Sequence, residues 1–194
     1  MPPSVVANGA TQTLVDAGGV MRSPLNTVAL RVDRPGSHYM AQLSFPPVDD
    51  PATARIVVSR LIRAQSQGLR TWWPTPDDQR VAGAPVVDGA GQAGTSLSVR
   101  GLFRGTAVRE GWWLSVRDAA GQSYLHNVAG GVIAGADGRA TIALSEALRA
   151  PLPDGAEVRL TEPQIEGIVI GDAREWSLSV ERFVGFTVTV EEAG

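Results

Sequence analysis

Cysteine is absent from the 194 residues, which removes disulfides, thiolate nucleophiles and cysteine-ligated zinc from consideration. Lysine is absent too. All 17 basic residues are arginine, so a phosphate-cradling Gly-x-x-x-x-Gly-Lys loop cannot exist. No apolar run approaches the roughly 20 residues that a membrane-crossing helix needs, and Met1-Pro2-Pro3-Ser4 lacks the basic and apolar regions of a secretion signal. The expectation is a soluble chain made in the cytoplasm, with no membrane partner. Histidine is limited to His38 and His126, and no Gly-x-Ser-x-Gly elbow occurs. With nothing near either histidine in sequence to complete a metal cluster, each reads as a packed or surface side chain.

Adjacent carboxylates occur at Asp49-Asp50, Asp77-Asp78 and Glu191-Glu192. Neighbours on an extended chain point apart, so these make poor acid and base partners, and turn and cap chemistry accounts for all of them. The net charge of −3, with arginines scattered singly, argues against the clustered basic face that nucleic acid requires. No catalytic, cofactor-binding or metal-binding residues emerge, and the chain reads as a non-enzyme.

What is present is β structure. The 22 glycines and 13 prolines supply the many turns of a short-stranded fold, and the length suits two small units better than one. Residues 1–24 hold one strand, at 12–16, in an arm that either orders on a neighbour or stays free. Residues 26–33 alternate, with Val28, Leu30 and Val32 on one face. Residues 39–45 resume the alternation with Tyr39, Ala41, Leu43 and Phe45, and Pro46-Pro47 ends that strand. Asp50 then reads as the N-cap and Pro51 as the first residue of a helix that stops at Gly68. Ala54, Val57, Val58, Leu61, Ile62 and Gln65 form its core-facing stripe. Its arginine-bearing face meets either solvent or another subunit's carboxylates. Residues 69–74 form a strand, 167–172 a strand or bend, and 175–180 with 184–190 a terminal pair that needs the first 80 residues as its partner.

Between these halves lies a second β unit. A polar, glycine-dense stretch at 87–95 suits a turn before a strand in which Leu97, Val99 and Gly101 face one way. Residues 112–117 and 123–128 pair across a connection of hairpin length at 118–121. Turns at 136–138 and 153–155 lead into strands at 139–144 and 157–161. Five short strands suggest a small barrel, closed or nearly closed. The pairs Trp72-Trp73 and Trp112-Trp113 alternate in and out of a pleat, so one ring of each fills core and the other is half exposed. A half-exposed ring is either ordinary packing, an interface anchor or a sugar platform, and Trp72, Trp73, Trp112, Trp113 and Tyr124 are the candidate interface or glycan contacts.

The helix-bearing half-sheet, the Val-Asp-Gly-Ala-Gly-Gln opening at 87–92, the run from 138 to 163 and the closing run from 176 to 190 resemble distal tail proteins, the tail-tip or baseplate proteins of long-tailed bacteriophages. The resemblance spans roughly residues 25–190 and carries no catalytic signature. It implies a mainly β fold, a β-sandwich belt domain with one α-helix at 25–84 and 165–194. It also implies an N-terminal arm at 1–24 and an inserted, OB-like β-barrel at 85–164. It further implies a homo-oligomer, a hexameric ring at the virion tail tip joining the tail tube protein to hub and baseplate proteins, with tail fibres or host glycan as further partners. Unpaired edge strands and an unpaired arm are groups that ring closure can satisfy. The alternative from another class is a carbohydrate-binding host-recognition module using rings among Trp112, Trp113 and Tyr124. A cell-wall hydrolase would need a convergent carboxylate or histidine site that no spacing suggests.

Overall fold

In the computed structural model the described residues are 1–2, 4–22, 29–32, 36–171, 176–178 and 184–192. The anticipated strand positions 26–28 and 33, the break at 34–35, and positions 175 and 179–180 lie outside them. The amino-terminal elements are β1 (Gly9–Val15), β2 (Gly19–Arg22), β3 (Ala29–Val32), β4 (His38–Val48), α1 (Pro51–Gln67) and β5 (Leu69–Trp72). The middle contributes β6 (Gly83–Val87), β7 (Ser96–Leu102), β8 (Ala107–Val108), β9 (Trp113–Arg117), β10 (Ser123–Gly130), β11 (Val132–Ile133), β12 (Ala140–Leu144) and β13 (Val158–Arg159). The chain returns through β14 (Gln164–Val169), β15 (Trp176–Leu178) and β16 (Val184–Glu192). The fold is mainly β with one helix among the described residues.

Both ends of the chain build one antiparallel sheet, ordered β1-β4-β16-β14-β5 with β15 also on β16. Tyr39, Ala41, Leu43 and Phe45 of β4 lie on its buried face, as their alternation predicts, beside Phe186, Val188 and Val190 of β16 and Ile165 of β14. Phe45 and Phe186 stack with centroids 4.4 Å apart. Helix α1 covers part of that face with Ala54, Val57, Leu61 and Ala64. Its ends follow local chemistry: the Asp50 carboxylate accepts from the Thr53 amide at 2.8 Å, and the Gly68 amide donates to the Ala64 carbonyl at 3.1 Å. Gly68, at φ 71°, touches β14 so closely that a Cβ would stand 2.7 Å from the Gly167 carbonyl oxygen. Only glycine permits both that conformation and that approach.

The middle of the chain forms a second sheet, ordered β13-β9-β10-β12-β7-β6. The Val87 amide donates to the Ala156 carbonyl and the Gly155 amide to the Val87 carbonyl, each at 2.9 Å, joining the two edge segments and nearly closing a six-stranded barrel. The barrel packs Leu97, Val99, Leu114, Val128, Ile142 and Leu160 into its own interior.

Several expectations require correction. The strand at 29–32 does not join β4; β3 pairs with β2 in a separate two-stranded ribbon, and Leu30 is exposed rather than core. The strand expected in the arm pairs with β4 of the same chain. Pro46 and Pro47 do not end β4, which runs on to Val48; they sit where the register against β16 shifts, a place that does not demand their missing N–H. Ile62 is exposed and the helix stripe is narrower than expected, closed by Ala64 instead of Gln65. In β7 the alternation breaks at Gly101, exposed with φ 91°, so that Leu102 turns inward. The register against β6 shifts there, the geometry of a bulge. The barrel has a sixth strand, β6, and the short β8–β11 ribbon was not anticipated.

Candidate functional site

The most concentrated polar chemistry lies where the barrel meets the open sheet. The segment after β12 carries Glu146 and Arg149 against the ends of β4 and β16. Arg149 donates from its two terminal nitrogens to Glu192 at 2.8 and 2.7 Å, and the side chains are only 6% and 1% exposed. The same guanidinium donates to the carbonyls of Leu125 and Ser37. Glu192 also accepts from the Tyr39 amide at 2.8 Å and the Leu125 amide at 2.7 Å. One carboxylate at the end of β16 thus ties β4, β10 and the barrel's Arg149 together, with its charge met by charge-assisted bonds.

A second buried carboxylate sits beside it. Glu146 accepts the Tyr39 hydroxyl at 2.5 Å, pairs with His126 Nδ1 at 2.9 Å and accepts from the Asn127 amide. Burial first, and then the bond to Glu146, push the Tyr39 phenol well above its ordinary range. It therefore serves as a neutral donor and not as a nucleophile. The His126 and Glu146 side chains are 1% and 9% exposed, so this Tyr-Glu-His chain is closed off from solvent. Farther along the seam Arg70 grips Glu166 through Nε at 2.7 Å and a terminal nitrogen at 2.9 Å, while Glu166 accepts from the Ser123 amide. Among the described residues no cluster of histidines and carboxylates has the make-up of a metal site.

Glu191 and Glu192 correct the sequence reading. They lie inside β16, and long-range pairing, not turn or cap chemistry, accounts for them. Glu191 faces the other way and meets His38 Nε2 at 2.8 Å. Burial alone would lower the His38 pKa, but the Gly36 carbonyl and the Glu191 carboxylate more than offset it, leaving the imidazole easier to protonate than usual. No sequence spacing could reveal these partners, since Glu192 meets Tyr39, Leu125 and Arg149 from across the chain. The one available signal was an acidic pair closing an alternating strand.

The candidate aromatic residues divide between sites. Trp73 is buried, and its ring lies 4.9 Å from that of Trp113 and 6.0 Å from that of Tyr39; Tyr39 and Trp113 meet edge to face at 4.9 Å. These rings form the apolar part of the seam. Trp112 is buried in the barrel core with Arg109 over its ring. Tyr124 is half-buried beneath the Arg149 guanidinium, 5.5 Å from its centroid. Trp72 is half-buried at the end of β5 and lines a surface cleft. In each tryptophan pair one ring is buried and the other half-buried, as alternation predicts.

A different feature marks the amino-terminal edge. Leu14 of β1 and Val20, Met21 and Leu30 of the β2–β3 ribbon are 54%, 59%, 65% and 63% exposed. Met21 and Leu30 are cross-strand partners and share a face, while Val20 points to the other. Neither a protein-family model nor a curated protein sequence matches the chain.

Proposed function

We propose that this chain is a non-enzymatic structural component of a phage or phage-like tail tip, assembling into a ring, hexameric by resemblance, that joins tail tube to hub or baseplate. The observation that carries the reading is the β2–β3 ribbon, set in sequence between β1 and β4, with Met21 and Leu30 exposed on one face. A chain rarely leaves two paired large apolar side chains such as Met21 and Leu30 exposed on one ribbon face unless something covers them. A ribbon that projects from one side of a protomer onto a different surface of the next makes a heterologous contact, the kind that closes rings. Under this reading residues 25–84 and 165–194, with the arm at 1–24, are the ring body, and residues 85–164 are a peripheral barrel available to fibres.

The test is native mass spectrometry with electron microscopy of the full chain, alone and with tail tube and hub proteins. Rings are expected, and Met21→Asp with Leu30→Asp should return them to protomers that keep their fold. A chain that stays monomeric with those partners present would count against the assignment.

A further inference from the structure

We propose that the cleft beside Trp72 is a saccharide-binding site. It lies where the end of β5 and the loop after it meet the Thr161-Glu162 turn leaving the barrel, has a volume of about 440 Å³, and is lined by Trp72, Trp73, Thr75, Asp78, Arg80 and Glu162. That volume falls within the span of small-ligand pockets. The proposal does not rest on ring assembly: the cleft is complete within one protomer.

Three observations converge there. The first is the indole wall, with Trp72 half-buried and Trp73 fully buried behind it. The second is Glu162, at φ 55° the only non-glycine residue with positive φ among the described residues. Its side chain is exposed at the cleft and makes no hydrogen bond or ion pair within the described chain. A non-glycine residue held in that region costs free energy without giving the fold a contact in return, the pattern of a residue retained for a ligand. The third is rigidity. Gln79 in the cleft loop is buried, donates to the carbonyls of Trp113 and Leu160 and accepts from the Trp113 amide. Gln12 of β1 donates to the Pro74 carbonyl at 2.7 Å, and Thr75 to that of Asp77 at 2.8 Å. The loop is set before any ligand arrives.

The ligand class follows from the wall chemistry. A sugar ring presents a face of C–H groups that packs on an indole and an equator of hydroxyls that both donate and accept. Around Trp72 stand carboxylate acceptors, Asp78 and Glu162, and a guanidinium donor, Arg80, which pairs with Asp78 at 2.9 Å with both side chains exposed. That mixture suits hydroxyls. An anionic ligand would face two carboxylates against one guanidinium, so phosphate is disfavoured. The site also differs from the barrel rings: Trp112 is sealed in the core and Trp113 is engaged with Tyr39 and Trp73.

The experiment is titration of the intact chain with chitotriose, cellotriose and maltotriose at up to millimolar concentration, followed by tryptophan fluorescence and calorimetry. Saturable binding to at least one trisaccharide is expected. Trp72→Ala should weaken it about tenfold or more, the scale of losing one aromatic face. Glu162→Gln, on an exposed side chain that leaves the fold intact by circular dichroism, should weaken it several-fold, while Tyr124→Ala should not change it. Absence of saturable binding to all three sugars would overturn the proposal. So would binding that survives both Trp72→Ala and Glu162→Gln, or binding lost only in Tyr124→Ala.

Discussion

The barrel and the open sheet solve the same problem differently. The barrel closes on itself, and its buried residues, from Val87 to Leu160, all come from its own stretch of chain. The sheet does not. Its core takes Ala64 and Leu61 from the helix, Leu125 from a barrel strand and the flank of Trp113, and Leu14 on its β1 edge stays exposed. A closed barrel has few edges to satisfy, whereas an open sheet must borrow cover. The difference teaches where the two can be separated. Apolar packing holds the barrel, whereas the seam between barrel and sheet adds buried charge to the packed rings of Tyr39, Trp73 and Trp113. A buried pair roughly breaks even against apolar residues of the same shape, yet is costly to half-remove, so Arg149 and Glu192 fix the docking geometry more than they add stability.

The sharpest way to break the comparison is Arg149→Met. It leaves Glu192 buried and unpaired, and the expected cost is about 3–5 kcal/mol in denaturant unfolding. Hydrogen exchange should show the loss at β4 and β16 before the barrel strands. The double variant Arg149→Met with Glu192→Leu should recover only part of the loss, because it removes the unpaired charge but leaves the Tyr39 and Leu125 amides without their acceptor. The counterpart in the barrel is Ile142→Ala, which removes a fully buried side chain at about 2–5 kcal/mol. Here exchange should quicken in β7 and β12 while the sheet keeps its protection.

Tyr39→Phe sharpens the comparison at the seam. It removes the hydroxyl bonded to Glu146 but keeps the ring, at about 1.5–3 kcal/mol for a hydrogen bond to a charged group. A double-mutant cycle with His126→Phe should give a coupling energy, because both side chains act through the same carboxylate. The smallest effect is expected at His38. Its folded pKa is raised, so its contribution is fully present below the ordinary histidine value of about 6.5. That contribution is lost as pH rises through the folded value. Chemical denaturation at about pH 6 and about pH 8 should show a fall that His38→Gln flattens.

What was legible in the sequence was local. The helix announced itself because Asp50, Pro51 and Gly68 each act on their own backbone, and the β9–β10 hairpin because 118–121 sets its connection. The closure of one sheet by both chain ends was legible from apolar alternation that had no other partner. Alternation states that a face must be covered but not by what, which is why Leu30 read as core when it lies on an exposed ribbon. Ile62 failed for a related reason: helical spacing marks a stripe but not its width, and β14 and β4 cover only the Ala54, Val57, Leu61 and Ala64 line. Glu192, Glu146 and Arg149 were illegible because their partners are brought together only by docking the barrel. The Trp72 cleft was half legible: the ring stood out, but its neighbours Asp78, Arg80 and Glu162 are gathered by the fold.

The central proposal is that the barrel is complete within one protomer while the exposed amino-terminal ribbon is covered by a neighbouring copy. Hydrogen exchange of the full chain across a concentration series, read peptide by peptide with oligomer mass measured in parallel, tests it most directly. Protection should rise with assembly at residues 9–22 and 29–32 and stay constant in β7, β9, β10 and β12. Assembly that leaves those amino-terminal amides unchanged, or an unchanging monomer mass at every concentration and with tail partners added, would contradict it.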